Sequence, residues 1–226
     1  MKNLKKSTAI ITVSEYTKKS LIDQYNVKNI HVIYNTFDPS DITPSNIKRK
    51  DNALLFVGIN KTRKNLPFLL NVMAQLPPDI HLTIVGAKNS KSFNIDNELI
   101  SKKLTHQVTN LGYVDKSTLS HLYKTSSALI FPSLLEGFGY PLIEAAAYQL
   151  PVICSNQSAL PEIGNDGCLY FDPTNINDCK EKIITLLNSK ELQSSLITKN
   201  YNQLNRFDVS HGFNQLSKLY KNTHHL

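Results

Sequence analysis

Residues 127–147 read Ser-Ala-Leu-Ile-Phe-Pro-Ser-Leu-Leu-Glu-Gly-Phe-Gly-Tyr-Pro-Leu-Ile-Glu-Ala-Ala-Ala. The apolar run Ala-Leu-Ile-Phe predicts a buried strand, and the turn after it contains Glu136, Gly137 and Gly139. Pro141 favours the first turn of a helix, where its missing N–H leaves no hydrogen bond unmade. A strand, a glycine-containing loop and a helix in this order form a site for an anion, because unpaired N–H groups meet at the helix N-terminus.

Similar apolar runs recur along the whole chain. They predict strands at 8–13, 30–34, 53–57, 80–85, 108–111, 128–131, 151–154 and 168–171. Most of them lack polar alternation, which is typical of parallel strands covered by helices on both faces. Helical patterns lie at 15–24, 65–76, 116–125, 141–149, 178–188, 190–204 and 211–221. This order predicts an α/β fold with a Rossmann-like, doubly wound parallel sheet, in which ligands bind at the carboxyl ends of the strands.

A polar segment interrupts this alternation near the start. Residues 38–52 contain two prolines and little periodicity, so we expect a surface connection there. The two strands that precede the segment are therefore expected to lie apart from the main sheet.

Composition limits the class of protein. The chain has 226 residues, of which 41% are hydrophobic and 19% charged, and this describes a globular chain. No apolar stretch approaches the roughly 18 residues that a bilayer crossing needs. The N-terminal apolar run is too short for a signal peptide, so we expect the mature protein to start at Met1. Three cysteines without C-x-x-C spacing suggest neither a disulfide framework nor a zinc site, and favour a reducing cytoplasm.

The net charge of +7 comes mainly from lysines spread along the chain, which argues against a nucleic-acid partner. A solvated lysine-rich surface is favoured, and contact with an anionic membrane surface or a phosphate-bearing ligand remains the alternative. Seven histidines show no metal-binding spacing, and no Gly-x-Ser-x-Gly motif is present. The sequence therefore predicts neither a metal site nor a serine hydrolase.

Two carboxylates and two cations stand out as candidate functional residues. Glu144 has a structural explanation, since acidic residues favour the first turn of a helix, but Glu136 has none. Arg63 and Lys64 directly precede the helix predicted from residue 65, where their charges oppose the helix dipole. A bound phosphate would offset this repulsion. We expect the Arg63–Lys64 pair to lie in a solvent-facing loop.

Residues 131–145 resemble the Glu-x7-Glu signature of the retaining family 4 (group 1) glycosyltransferases of GT-B fold, and residues 150–156, 160–163 and 170–173 continue the resemblance. It implies that Glu136 is the catalytic residue beside the donor sugar and that Glu144 binds the ribose hydroxyls. Further donor contacts are implied for Arg63 and Lys64 at the pyrophosphate, for the backbone of Gly137, Phe138 and Gly139 at the sugar and diphosphate, and for Tyr113 and Val114 at the nucleobase.

Gly58 and Gly86, at two strand ends, complete the implied donor site. The turn at residues 111–115 can also be an ordinary connection between a strand and a helix, and a purely structural turn would also explain Gly137 and Gly139. Many members of the family carry an arginine at the position that follows Gly58, where this chain has Ile59. Either Arg63 substitutes for that arginine or the contact is missing.

The resemblance covers only the C-terminal half of a GT-B fold. It divides the chain into a remnant of the N-terminal domain with its crossover (1–38), a nucleotide-sugar-binding domain (39–206) and a C-terminal crossover helix (207–226). The implied reaction moves a sugar from a nucleoside-diphosphate sugar, with GDP-mannose favoured, to a glycan or lipid-linked acceptor, without a metal or other cofactor. The alternatives are a nucleotide-sugar-binding half that needs a partner domain and an inactive fragment.

The same resemblance sets the expectations for partners and location. The strands before residue 39 and the terminal helix would expose apolar surface that the family buries against its first domain. We therefore expect an N-terminal-domain partner or a homodimer. The expected location is the cytoplasm, with peripheral contact at the inner membrane face as an alternative.

Overall fold

The computed structural model describes residues 7–39, 42, 47–89 and 93–223. Within them, the strands are β1 (Ile10–Thr12), β2 (Ile30–Val32), β3 (Ala53–Val57), β4 (His81–Val85), β5 (Val108–Gly112), β6 (Ala128–Phe131), β7 (Val152–Ser155) and β8 (Cys168–Phe171). The α-helices are α1 (Glu15–Tyr25), α2 (Leu66–Met73), α3 (Ile95–Ser101), α4 (Lys116–Thr125), α5 (Tyr140–Ala147), α6 (Leu160–Gly164), α7 (Ile176–Asn188), α8 (Lys190–Asn202) and α9 (Val209–Thr223).

The main sheet has six parallel strands in the order β5-β4-β3-β6-β7-β8. The chain builds outward from β3 in one direction and then from β6 in the other, which is the doubly wound order that the sequence predicts. The loops that follow β3 and β6 leave the sheet side by side at the point of reversal. In open α/β sheets this is where ligands bind. As expected, β1 and β2 lie apart from the main sheet and pair with each other in parallel.

Two hydrophobic clusters cover the two faces of the sheet. Along β3, Leu54 and Phe56 belong to one cluster and Leu55 to the other, because successive side chains of a strand point to opposite faces. Every residue of β6 and β7 is buried, which explains why both strands are apolar except for Ser155 at the end of β7. The edge strand β5 instead has one buried residue, Val108, and then alternates between exposed and half-buried residues.

Side-chain caps fix the starts of several helices. Asp115 accepts a hydrogen bond from Thr118 N at 2.7 Å and begins α4, while Ser14 caps α1 in the same way. The sequence did not predict α3 and α6. These helices have seven and five residues, too few to show a helical period. None of the described helices has the length and apolar character required to cross a bilayer.

A third cluster joins the N-terminal segment to the main domain. The ring of Phe138 packs edge-on against Phe207 at 5.5 Å and near Tyr34 at 6.3 Å, measured between ring centroids. The carboxylate of Glu162 accepts hydrogen bonds from Glu15 N and Tyr16 N, at 2.7 and 3.0 Å, in the first turn of α1. The N-terminal segment is thus attached to the main domain by both apolar and polar contacts. The proposed boundaries at residues 38/39 and 206/207 stay predictions.

Arg49 ties the ends of two helices together. Its Nη1 donates to the carbonyl oxygens of Tyr123, Lys124 and Ser126, and its Nη2 to those of Tyr148 and Gln149, at 2.8 to 3.1 Å. These carbonyls lie at the C-terminal ends of α4 and α5, where a cation is favourable because helix dipoles end there. The described part of segment 38–52 runs along the surface as expected, but the side chain of Arg49 turns inward from it.

Replacing Arg49 by Met removes the guanidinium and keeps an unbranched side chain. We expect the free energy of unfolding to fall by about 1.5–3 kcal/mol, the range for hydrogen bonds to a charged group. Urea denaturation measures this loss. Lys48→Met is the matched control, because Lys48 is exposed, and it should change stability by less than about 0.5 kcal/mol. Equal stability of the two variants would show that Arg49 does not hold the helix ends.

Candidate functional site

The candidate site lies where the loops after β3 and β6 meet. Leu134 N donates to Arg63 O at 2.8 Å, so the backbones of the two loops are joined directly. Asn65 adopts a left-handed conformation with φ of 57°, which Asn tolerates better than most residues, and it redirects the chain into α2. The Nδ2 of Asn65 also donates to Pro173 O at 2.9 Å. These contacts hold Arg63 and Lys64 against the loop that carries Glu136.

Glu136 forms ion pairs with both predicted cations. Its Oε1 lies 2.8 Å from Arg63 Nη1 and 2.7 Å from Lys64 Nζ. The side chains of Lys64 and Glu136 are each only 9% exposed, whereas that of Arg63 is 40% exposed. The three residues therefore form a cluster, here called the Glu136 triad, with one face open to solvent. The expectation of a solvent-facing cation pair is wrong for Lys64.

The ammonium group of Lys64 lies between the Glu136 carboxylate and an aromatic ring. Its Nζ lies 4.4 Å from the centre of the Phe131 ring, at the end of β6. The lysine stem lies against Gly58, since a Cβ added there would be 3.4 Å from Lys64 Cδ and Cε, an ordinary van der Waals contact. Burial lowers the pKa of Lys64, and the Glu136 carboxylate opposes this effect. The Glu136 carboxylate therefore favours the charged form of Lys64.

The backbone of Glu136 is fixed by the loop after β7. Glu136 N donates to Ser158 Oγ at 2.9 Å, and Ala159 N donates to Glu136 O at 3.4 Å. Ser158 has a positive φ of 58°. The position of Glu136 therefore depends on contacts with a third strand end as well as on the two cations.

Glu144 lies on α5 and is paired with a tyrosine of α4. Tyr123 OH donates to Glu144 Oε2 at 2.7 Å, and the Tyr123 ring stacks on Tyr148 with 5.2 Å between centroids. Burial raises the pKa of Glu144, and the hydrogen bond from Tyr123 partly opposes this rise. Burial and the neighbouring Glu144 carboxylate raise the pKa of Tyr123. A partly buried carboxylate with a shifted pKa is a common feature of functional sites.

Glycines form the strand ends beside the triad. Gly86 has a φ of 86°, and a Cβ there would lie 3.2 Å from Gly58 O. Gly58 N donates to Val85 O and Gly86 N to Gly112 O, at 2.9 and 2.6 Å, so the three strand ends are held in line. The absence of side chains on Gly58 and Gly86 lets the two backbones approach each other closely at this edge.

The predicted nucleobase turn is exposed on one side. Tyr113 is 63% exposed, and Lys88 Nζ lies 4.6 Å from the centre of its ring. Val114 is half-buried and packs against the core cluster under the turn. Tyr113 is therefore accessible to solvent, and the packing of Val114 attaches the turn to the core.

The predicted donor loop from Gly137 to Gly139 has three different environments. Gly137 is exposed, and its carbonyl accepts a hydrogen bond from Thr17 Oγ1 at 3.4 Å. The side chain of Phe138 is buried in the third cluster, so only its backbone is available for the predicted contact with the donor. Gly139 has a φ of 112° and begins α5, and a Cβ there would lie 2.9 Å from Leu160 Cδ2. The backbone conformation favours glycine at this position, and a Cβ there would require the Leu160 side chain to shift.

The sequence predicts one ligand for Arg63, Lys64 and Glu136, and the structure places these side chains in direct contact. The sequence did not predict Tyr123 and Ser158, which position Glu144 and Glu136. It also missed Ser133, whose Oγ is buried without a hydrogen-bond partner in the described part of the chain. Nothing in the Pro-Ser pair after β6 predicts a buried hydroxyl group. Tyr123 lies among the apolar residues of α4, so its sequence position predicts only a core residue.

The fold is that of GT-B glycosyltransferases. Sucrose-phosphate synthase from Thermosynechococcus elongatus superposes with a TM-score of 0.84 at 21% identity, over 97% of this chain and 59% of that protein. HepE from Anabaena, solved with UDP and glucose, gives a TM-score of 0.84 at 17% identity, over 96% of this chain and 64% of HepE. At these identities the likeness concerns the fold.

The sequence assigns the family. Residues 37–203 match the family of glycosyl transferases group 1, and the chain belongs to this family. The O-antigen chain mannosyltransferase RfbU of Salmonella typhimurium is 31% identical over 208 residues, which are 91% of this chain and 57% of RfbU. The chain thus spans less than two thirds of the length of this relative.

Glu144→Gln tests the electrostatic state of the site. Because the pKa of Glu144 is raised in the folded state, its ionised form opposes folding at pH values above that pKa. Stability is therefore lost in the wild type as pH rises through the folded pKa, and the neutral Gln avoids this loss. We expect urea denaturation to show E144Q more stable than wild type at about pH 7.5, with the difference disappearing toward about pH 4.

Glu191→Gln is the control, since Glu191 is an exposed carboxylate in the first turn of α8. A stability difference for E144Q that does not change with pH would contradict a buried ionised carboxylate.

Proposed function

We propose that this chain is the donor-binding domain of a retaining glycosyltransferase, which transfers a sugar from a nucleoside-diphosphate sugar to a glycan or lipid-linked acceptor. The Glu136 triad, at the point where the strand order reverses, is the observation that carries the proposal. Membership of the group 1 family supports the reaction class. The retaining outcome rests on the resemblance of the Glu-x7-Glu segment.

In the proposed reaction, Arg63 and Lys64 bind the diphosphate and stabilise the charge that develops on it as the sugar leaves. The N-terminal end of α5 supports this role, because no described side chain caps it and its N–H groups favour an anion. The two cations supply the charge neutralisation of the leaving group, so the proposal includes no metal ion or other cofactor.

Glu136 and Glu144 take separate parts of the donor in this proposal. Glu136 acts beside the sugar, and Glu144 binds the ribose hydroxyls. The Glu144 carboxylate already accepts a hydrogen bond from Tyr123 OH, and it has the capacity to accept further hydrogen bonds from the ribose hydroxyls. Gly58, Gly86 and the backbone of Gly137, Phe138 and Gly139 allow close approach of the donor. Tyr113 and Val114 border the nucleobase.

GDP-mannose is the proposed donor. The name of the mannosyltransferase RfbU supports a mannosyl group, whereas the structure of HepE holds UDP. Competition between GDP and UDP for the chain distinguishes the two bases. We place the proposed reaction in the cytoplasm, with contact at the inner membrane face when the acceptor is lipid-linked.

We further infer that sugar transfer requires a second domain, from a partner chain or from additional residues of the same protein. One domain supplies one wall of a cleft, and transfer needs donor and acceptor held in reacting geometry with water excluded. The described residues expose apolar side chains on β1, α1 and α9, namely Ile11, Ile22, Val209, Phe213, Leu216 and Tyr220. A second domain, or a second copy of the chain, would cover this surface.

Nucleotide binding by the isolated chain is the direct test of the donor site. We expect isothermal calorimetry to detect binding of GDP, and Glu144→Ala to weaken it by roughly 1.5–3 kcal/mol, the scale of hydrogen bonds to a charged group. Glu191→Ala should leave the affinity unchanged, because Glu191 is exposed on α8. Equal affinities of wild type and E144A would remove Glu144 from the site, and failure of both GDP and UDP to bind would reject the donor-binding function.

Sedimentation tests the apolar surface. We expect the isolated chain to self-associate and Phe213→Ser to shift it toward the monomer, since Phe213 is 68% exposed on α9. Ile100→Ser is the matched control, because Ile100 is 66% exposed on α3, outside this surface. Rapid sugar transfer by a wild-type monomer would contradict the need for a second domain.

A further inference from the structure

The Glu136 triad has an excess of positive charge. Two cations share a single carboxylate oxygen, Oε1, at 2.7 and 2.8 Å. One carboxylate neutralises one of the two positive charges, and the other remains available to an incoming anion. Both contacts are charge-assisted, because a carboxylate oxygen meets a guanidinium and an ammonium group at these distances.

The lysine is the fixed member of the triad. Its stem lies against Gly58 and its ammonium group over the Phe131 ring, so it occupies a shaped pocket. An ammonium group in such surroundings is unstable without an anion beside it. An anion that replaces the Glu136 carboxylate would keep the charge on Lys64 Nζ compensated.

The carboxylate of Glu136 is the member that can leave. Backbone contacts with Ser158 and Ala159 hold the main chain, so a change of side-chain rotamer suffices to move the carboxylate. Arg63, with 40% of its side chain exposed, forms the open side of the triad. An anion can approach from there without a rearrangement of the sheet.

We propose that Glu136 is a resident counter-ion of the phosphate site, which the diphosphate of the donor displaces from Arg63 and Lys64. This inference rests on the proposed function. A diphosphate carries more charge and more acceptor oxygens than one carboxylate, so it can satisfy both cations at once. Its arrival releases Glu136, and the released carboxylate becomes available to the sugar of the same donor. Glu136 is thereby kept away from sugars that lack a diphosphate.

Inorganic pyrophosphate is the probe, because it contains neither sugar nor base. Glu136→Gln removes the competing charge while keeping the shape of the side chain. We expect calorimetry to show about tenfold tighter binding of pyrophosphate to E136Q than to wild type. Glu98→Gln is the control for net charge: Glu98 is paired with Lys102 at 3.5 Å in α3, and its loss should leave the affinity unchanged. Combined Arg63→Met and Lys64→Met substitutions should abolish binding.

Glu136→Asp provides a second variant if E136Q does not fold. It keeps the negative charge for Lys64 but is shorter by one methylene group, so it contacts the two cations less well and should give an intermediate affinity. Unchanged or weaker pyrophosphate binding in the variants, or no binding to either wild type or variants, overturns the proposal. If GDP or UDP binds while pyrophosphate affinity is equal in wild type and E136Q, the displacement fails and the donor-binding function stands. If pyrophosphate binds more tightly to E136Q but no nucleotide binds, the displacement of Glu136 is supported and the donor-binding function fails.

Discussion

A buried ammonium group has to be accompanied by negative charge, and much of the arrangement around Lys64 follows from this requirement. The lysine follows β3, and its counter-ion Glu136 follows β6. Because β3 and β6 are neighbours in the sheet, the two loops come close enough for a 2.7 Å contact. Strand order and the loop after β7 both contribute to this one interaction.

The sequence was sufficient for the sheet and for the choice of loops. The uninterrupted apolar run of β6 and the glycine turn after it predicted a buried strand that opens onto a helix, and the structure has both. Adjacent cations in front of α2 predicted an anion beside them. The sequence could not identify Glu136 as that anion, since the residues are far apart in the chain and the contact depends on which strands are neighbours.

Other contacts escaped sequence reasoning for local physical reasons. Arg49 lies in a polar segment with no periodicity, yet its planar guanidinium satisfies carbonyls from two helices. Tyr123 has the spacing of an ordinary core residue on α4, and its hydroxyl becomes informative only once α5 places Glu144 beside it. The role of such side chains depends on their tertiary contacts, and neighbouring residues in the sequence do not reveal those contacts.

The attachment of the N-terminal segment bears on how the molecule can be dissected. Thr17 donates to the carbonyl of Gly137 and Tyr140 OH to that of Thr36, so residues before position 39 contact the loop and helix that follow β6. Tyr34 and Phe37 also cover the aromatic cluster around Phe138. The polar connection at residues 38–52 suggests a truncation at residue 39. Such a truncation would expose that cluster and remove the hydrogen bond from Thr17 to the Gly137 loop. A truncated form that keeps these contacts therefore has to include α1.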